Sequence, residues 1–447
     1  MNKILRQILT TTLLALIIFA SNNQPTWAAQ YNPPKENLEA REKFSAKKFG
    51  IFLHWGIYST FAQGEWYLHN GKLDKDEYAK AASCFNPVYF NANQWIKSFK
   101  QGGANYICFT SRHHDGFSMF NTQYSDYNIM NTPFKRDIMK ELANACHREG
   151  IGFHVYYSLM DWTREDYPVG SCKNVQGRKH PEGNYDSYFQ FMKDQLTEIL
   201  TQYGQVDAIW LDGMWDHKKD TPPFDWRLRE LYDHIHSLQP ACLIINNHHL
   251  APFPGEDAQT FERDLPGENK AGFSKGTEVS QLPLEMCQTM NGMWGYKVND
   301  QNYKSSHELL QLLVRAASKG ANLLLNIGPQ PNGELPATAL QRLRDMGMWT
   351  QQYGETLYGT SPAGYKEAPW GITLSKGQHI FAHILNQDSA QSITLPIKQK
   401  VTDVRLFESK EKLSFKCSQR KGLTFSPPTK NGIPDLVVEI VLAEKRK

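Results

Sequence analysis

Two acids and three histidines in this chain could do chemistry together. Asp212 ends the apolar run Ala208-Ile209-Trp210-Leu211 and is followed by Gly213, where the backbone can turn sharply. A carboxylate so placed stands at the mouth of whatever the strand builds. It can attack an electrophilic carbon or, more plainly, cap the helical segment that follows. His54 closes the apolar run from Phe49, and His113-His114 follow a second run, Ala104 to Thr110. Adjacent histidines point to opposite sides of a strand, so these two share a site only if the chain turns at Asp115-Gly116. Neutral imidazoles beside a carboxylate suit hydroxyl groups, because each ring can donate to one oxygen and accept from another.

A second carboxyl is available twice. Glu262, in Gln259-Thr260-Phe261-Glu262, ends a short strand-like stretch ahead of a Pro-Gly loop, whereas Glu285 precedes its apolar residues and sits nearer a strand start. Glu262 is therefore the first candidate for a proton donor and Glu285 the second. Metal binding is the competing reading of the histidines. No helical HExxH and no close Cys/His cluster occurs, and the second vicinal pair, His248-His249, has no carboxylate at ligand spacing, so no metal is expected.

Parallel strands joined by helices are the scaffold that gathers such residues on one rim. Strands are predicted at Phe49 to His54, Ala104 to Thr110, Gly152 to Ser158, Ala208 to Asp212, Cys242 to Asn246 and Ala321 to Ile327. Helical spacing separates them at Asn93 to Gln101, Asp137 to Arg148, Tyr185 to Gln202, Asp225 to Leu238 and Ser306 to Lys319. Gln259 to Glu262 and Pro283 to Gln288 are weaker candidates for strands six and seven, with no clear helix between them. The expected architecture is an α/β (β/α)8-like TIM barrel over residues 30–358, irregular in its later half. From 359 to 447 short alternating runs separated by Gly, Asn, Asp and Pro predict a C-terminal antiparallel β-sandwich.

Lys3 and Arg6 precede an apolar run from Ile8 to Ala20, and the small-residue site Thr26-Trp27-Ala28 follows. Residues 1–28 therefore read as a signal peptide, the run being well short of the roughly 20 residues a membrane span needs. An exported protein, periplasmic or extracellular, is expected. Its seven cysteines include no CxxC pair, so neither a disulfide scaffold nor a zinc ribbon is indicated. A net charge of +3, from 49 basic and 46 acidic residues, has no long basic block, and nucleic acid is not an expected partner. Eleven Trp and twenty Tyr exceed what a core usually buries, and rings stacked on sugar faces are one use for the surplus.

The segments FGIFLHWG, GEWY, RHHDGF, VYYSLMDW, AIWLDG, the WGY at Trp294, and KGANLLLNIGP resemble, in this order, motifs of the α-L-fucosidases of glycoside hydrolase family 29, across nearly all of residues 44–360. The resemblance implies a barrel followed by a β-sandwich, retaining hydrolysis of terminal α-L-fucose from fucosylated oligosaccharides or glycoconjugates, and no cofactor. It implies Asp212 as nucleophile and His54, Glu65, Trp66, His113, His114 and Tyr157 as fucose-binding residues. Trp210 corresponds to the family's strand-four aromatic, and Trp215 and Trp294 to aromatics in and around the pocket. One departure stands out: many members have an arginine in an NDRWG-like segment after strand five, where this chain reads Asn246-Asn247-His248-His249 and then a proline-rich loop. The leaving-group side is built differently here. Two other readings stay open on the sequence: a fucose- or glycan-binding protein without catalysis, and an enzyme for a related sugar such as an α-L-galactoside.

Overall fold

The computed structural model describes residues 31–274, 277–430 and 432–444. The expected signal peptide and the basic trio at 445–447 lie outside them. Eight parallel strands form one sheet: β1 (Phe49–Leu53), β2 (Tyr106–Arg112), β3 (Gly152–Ser158), β4 (Ala208–Asp212), β5 (Leu243–Asn246), β6 (Gln259–Glu262), β7 (Leu284–Thr289) and β8 (Ala321–Ile327). Their order is β5-β4-β3-β2-β1-β8-β7-β6. The ring closes between β5 and β6 through a bridge at Ile245 and Ala258 and a bond from the Asp257 amide to the Ile244 carbonyl at 2.8 Å.

Strand parity decides what faces the barrel axis. Phe52, Tyr106, Cys108, Tyr156, Ala208, Trp210, Cys287 and Leu324 form an inner cluster, while alternate residues such as Ile51, Ile107, Val155, Ile209 and Leu323 pack outward under the helices. Helix α1 (Lys35–Lys47) closes the N-terminal end of the barrel, with Phe44 joining the inner cluster and its carbonyl taken by Asn322 at 2.7 Å. The sequence gives this helix little amphipathic signal, because only Asn37 and Phe44 are buried.

The crossover helices are α2 (Ala92–Gln101), α3 (Ile138–Glu149), α4 (Tyr185–Gln202), α5 (Leu228–Leu238) and α6 (Ser306–Ser318), followed by α7 (Ala337–Tyr353). Asn91, Asp137, Asn184 and Ser305 cap four of them through their side chains. Helix α5 begins later than its periodicity predicts. Asp225 instead accepts the Arg227 amide at 2.9 Å, and Arg227 adopts a left-handed backbone that keeps the first turn from forming. Among the described residues no helix separates β5 from β6 or β6 from β7, and these four- and six-residue strands are the barrel's irregular side.

A five-stranded antiparallel sheet, β13-β16-β11-β10-β9, faces a three-stranded one, β12-β15-β14. Its strands are β9 (Ser361–Pro362), β10 (Gly371–Lys376), β11 (His379–Ile384), β12 (Ile393–Leu395), β13 (Val401–Leu406), β14 (Phe415–Ser418), β15 (Gly422–Phe425) and β16 (Leu436–Leu442). Ile380, Ile393, Val404, Leu423, Val438 and Ile440 fill the space between the sheets. Ile372, Leu374, Phe381 and Val437 face the other way and join the barrel's outer core, so the sandwich is packed onto the barrel. All seven cysteines are free thiols, five of them buried. Among the described residues no helix is long and apolar enough to cross a membrane.

Candidate active site

A cavity of about 730 Å³ opens at the C-terminal ends of the barrel strands, a size suited to a small ligand. His54, Glu65, Trp66, His113, His114, Trp210, Asp212, Trp215, Glu262 and Trp294 all line it. The strand ends and the segments after them thus bring together ten of the eleven residues first expected to act on fucose; Glu285, the second acid candidate, does not line the cavity.

Tyr157 is the exception and is corrected here. Its side chain lies on the outer face of β3, where its hydroxyl donates to Gln195 at 2.9 Å and its ring packs against the Arg112 guanidinium. Its neighbour Tyr156 points inward and donates to Asp212 Oδ2 at 3.0 Å. The β3–β4 pairing explains the exchange: Tyr156 lies opposite Trp210 and Ser158 opposite Asp212, so they share the inward parity of Asp212. The pattern Trp210-x-Asp212 could have revealed this once the two strands were set side by side.

Asp212 caps nothing. Gly213, at φ 98°, turns the chain away, and a Cβ there would meet Met160 Cγ at 2.9 Å, so the position favours glycine. The carboxylate faces the cavity instead. Besides Tyr156, the Trp215 indole donates to Oδ1 at 3.3 Å, and Asn247 Nδ2 stands 3.4 Å from the same oxygen. Burial, then the charge of Glu262, pushes its pKa up to about 7, against the opposing pull of these donors.

The vicinal histidines reach one rim because β2 is irregular at Thr110/Arg112 and Gly116 turns at φ 76°. Their rings lie 4.2 Å apart. His54 is fixed by Asn326 Oδ1 at 2.7 Å from Nδ1, and His114 by Ser158 Oγ at 2.7 Å from Nδ1. That leaves His114 Nε2 facing Asp212 Oδ2 at 3.5 Å. His113 stacks on Tyr156 with a 12° interplanar angle, and its buried Nδ1 has no partner among the described residues. Burial depresses all three, His54 to about 3, so the rings are neutral over the ordinary pH range.

Glu262 ends β6 and accepts from Asn247 Nδ2 at 2.9 Å. One amide therefore bridges both carboxylates, and Asp212 Oδ1 and Glu262 Oε2 can be no farther apart than its 3.4 and 2.9 Å contacts laid end to end. Burial raises Glu262, with Asn247 and Arg263 pulling it down. Arg263 places its guanidinium over the Trp294 ring at 5.1 Å. Glu65 accepts the Gly295 amide at 2.7 Å and is itself raised by burial. Glu285 lies deeper in the barrel, at the position opposite Thr260, two residues below the Glu262–Cys287 pair. Tyr106 and Trp210 donate to its two oxygens at 2.7 and 2.8 Å, and no surface of it is exposed. Trp66 and Trp215 stack at 5.7 Å and 21° to form an aromatic wall.

Asn247, His249, Arg263, Met293 and Phe273 also line the cavity. They come from loops without periodicity, and of these only the His248-His249 pair carried a signal in the sequence. Among the described residues no group of three His, Cys, Asp or Glu side chains could hold a metal ion.

An eight-stranded parallel barrel whose strand ends hold two facing carboxylates, neutral imidazoles and an aromatic wall defines a glycoside hydrolase of barrel fold. A sequence model of the alpha-L-fucosidase family matches residues 18–355. Human plasma alpha-L-fucosidase is 30% identical over 90% of this chain and 89% of its own. Alpha-L-fucosidase isoenzyme 1 from Paenibacillus thiaminolyticus superposes with a TM-score of 0.80 at 31% identity, covering 92% of this chain and all of that one. A Bacteroides thetaiotaomicron alpha-L-fucosidase of family 29, solved as a trapped covalent intermediate with 2-fluoro-fucosyl fluoride, gives 0.80 at 27% identity, covering 93% of this chain and 98% of that one. The chain belongs to the alpha-L-fucosidases of glycoside hydrolase family 29, and it is a hydrolase of α-L-fucosides.

Proposed function

We propose that this enzyme releases terminal α-L-fucose with retention, through a fucosyl-enzyme ester on Asp212, with Glu262 as acid and then base. The observation that carries the reading is the Asn247 bridge. Its two contacts end to end fall short of the roughly 6.5 Å at which inverting enzymes begin, and retaining pairs stand about 5–5.5 Å apart. Donor count assigns the roles. Tyr156, Trp215 and Asn247 converge on Asp212, while Asn247 and Trp294 pull on Glu262, a balance of donors that favours Asp212 as the attacking carboxylate and Glu262 as the proton carrier.

In the first step an Asp212 oxygen attacks the anomeric carbon as the glycosidic bond breaks, and the Glu262 proton passes to the departing oxygen. In the second, water gives a proton to Glu262, its oxygen bonds to the anomeric carbon, and the ester bond to Asp212 breaks. Neutral His54, His113 and His114 hold sugar hydroxyls, and the Trp66–Trp215 wall takes the apolar C5 methyl. Incubation with 2-fluoro-fucosyl fluoride should add one fluorofucosyl mass to the peptide containing Asp212. Proton NMR should show α-L-fucose as the first product. Label on another acid, or β-L-fucose first, overturns the assignment. Residues 1–28 are proposed to be an export signal, which places a mature N-terminus near Ala29 or Gln30; mass spectrometry of the secreted enzyme checks this.

A further inference from the structure

His249 stands where chain strain, packing and charge meet. It adopts φ 61°, in the left-handed region that L side chains rarely enter, and its carbonyl is held there by the Thr277 hydroxyl at 2.9 Å. Its ring stacks on Phe273 at 5.2 Å and 18°, at the outer lip of the cavity. The stacking fixes the ring plane, and Nε2 then points at Glu262 Oε2 from 3.7 Å. Nδ1 is buried with no partner among the described residues. A proton there would be a buried donor without an acceptor, so the proton belongs on Nε2, facing the carboxylate. Burial, then His248 and Lys218, lowers His249 to about 4, so the ring is a neutral donor and not a counter-ion.

Asn247 already binds the same oxygen at 2.9 Å. We propose that His249 is a positioning residue for Glu262: with Asn247 it gathers two N–H donors on Oε2, so that Oε1 is the oxygen that gives up and recovers the proton. At 3.7 Å the contact is long, and it should tighten once Glu262 carries a full charge in the fucosyl-enzyme. The inference rests on the reading of Glu262 as the acid/base. Glu262 also faces Asp212 across Asn247, Arg263 beside it, and Glu65 from the Trp66 loop, so the pH test compares variants that leave these groups in place.

The test uses the full-length enzyme with His249→Leu, which keeps the site dry, and His249→Gln, which restores a neutral N–H donor. On a fucosyl disaccharide, whose leaving group needs a proton, His249→Leu should lower kcat/KM by roughly 10- to 100-fold; on 4-nitrophenyl α-L-fucoside it should lose less than about threefold. Its basic limb in the pH profile of kcat/KM should move to higher pH, because ionised Glu262 loses a donor. Admission of water would move it the other way. His249→Gln should recover most of the disaccharide activity, with thermal unfolding unchanged. Equal losses on both substrates, a basic limb that stays or falls, or a Gln variant as poor as Leu would each overturn the proposal. Should His249→Leu not fold, His249→Met is read in the same way. Azide rescue of Glu262→Ala separates the two layers: without rescue the acid/base reading fails, whereas rescue with a silent His249→Leu removes only this inference.

Discussion

The two halves of the barrel do different work with different architecture. Strands β1 to β4 are buried throughout and separated by capped helices, and they deliver His54, His113, His114, Tyr156 and Asp212 from strand ends or the first turn beyond them. Strands β5 and β6 have only four residues each, and the loops around β5 to β7 supply Asn247, His249, Arg263 and Trp294, with Glu262 at the last position of β6. On the proposed mechanism the helix-separated half holds the sugar and attacks it, and the loop-rich half faces the group that leaves. Loops tolerate change that a strand packed on both sides does not, so on this reading the half that recognises fucose is the more constrained and the half that meets the aglycone is free to differ. This second half contains Asn246 to His249, where the family resemblance leads one to expect an arginine-bearing segment.

If the division holds, damage to the first half should be blind to the leaving group, and damage to the second should depend on it. The largest loss belongs to Asp212→Ala, which should lower kcat by at least about 10⁴-fold on every fucoside while thermal unfolding barely moves, because the residue sits at the rim and not in the core. Activity within tenfold of wild type would sink the nucleophile assignment. Glu262→Ala should cost roughly 10²- to 10⁴-fold on unactivated fucosides and far less on aryl fucosides, with azide accelerating turnover and yielding α-fucosyl azide, the product of two inversions. If Glu285→Ala shows that rescue and Glu262→Ala does not, the roles must be exchanged. Replacing His54, His113 or His114 by Ala removes an oriented partner in a dry site, about 2 to 4 kcal/mol of barrier, and the ratio between aryl and natural substrates should stay constant. EDTA should leave wild-type activity intact; loss restored by zinc would make these histidines ligands.

What was legible in the sequence follows the same division. β3, β4 and β8 begin and end where their apolar runs do, because buried parallel strands are continuous in hydrophobicity and their glycine turns are explicit. Glu262 was legible as a strand end. Asn247, Arg263 and Phe273 were not, since loop residues are placed by tertiary contacts that leave no period. The Tyr156/Tyr157 choice failed for another reason: a run of two identical residues hides strand parity, and only the neighbouring strand resolves it. In the C-terminal domain, β14 carries a weak strand signal because Phe415–Ser418 is only four residues long and almost wholly exposed. That tyrosine parity also gives a smaller prediction. Tyr156→Phe should lower kcat/KM roughly tenfold by removing one donor from Asp212, while Tyr157→Phe stays within about twofold.

A small effect on turnover is also expected where the two halves are joined beneath the site. Glu285 on β7 reaches across the barrel interior to Tyr106 on β2 and Trp210 on β4. Trp210 stacks on Tyr156 at 5.6 Å and 24°, and Tyr156 in turn holds Asp212. Glu285 is therefore support for the rim and not part of the chemistry. Burial raises it to about 7, the two donors pulling it back. Its folded pKa thus lies above the roughly 4.3 of an unfolded glutamate, so the folded state binds the extra proton between those values. The stability it contributes is fully present below the unfolded pKa and is lost as pH rises through about 7. Glu285→Gln removes that titration while keeping the shape. Its kcat/KM at pH 5–6 should stay within about threefold of wild type. Its unfolding temperature relative to wild type should climb from pH 5 to about pH 7 and level off by pH 8, as calorimetry can follow. A difference flat in pH would mean that Glu285 is already ionised at pH 5, and a loss of turnover matching that of Glu262→Ala would move it from support to chemistry.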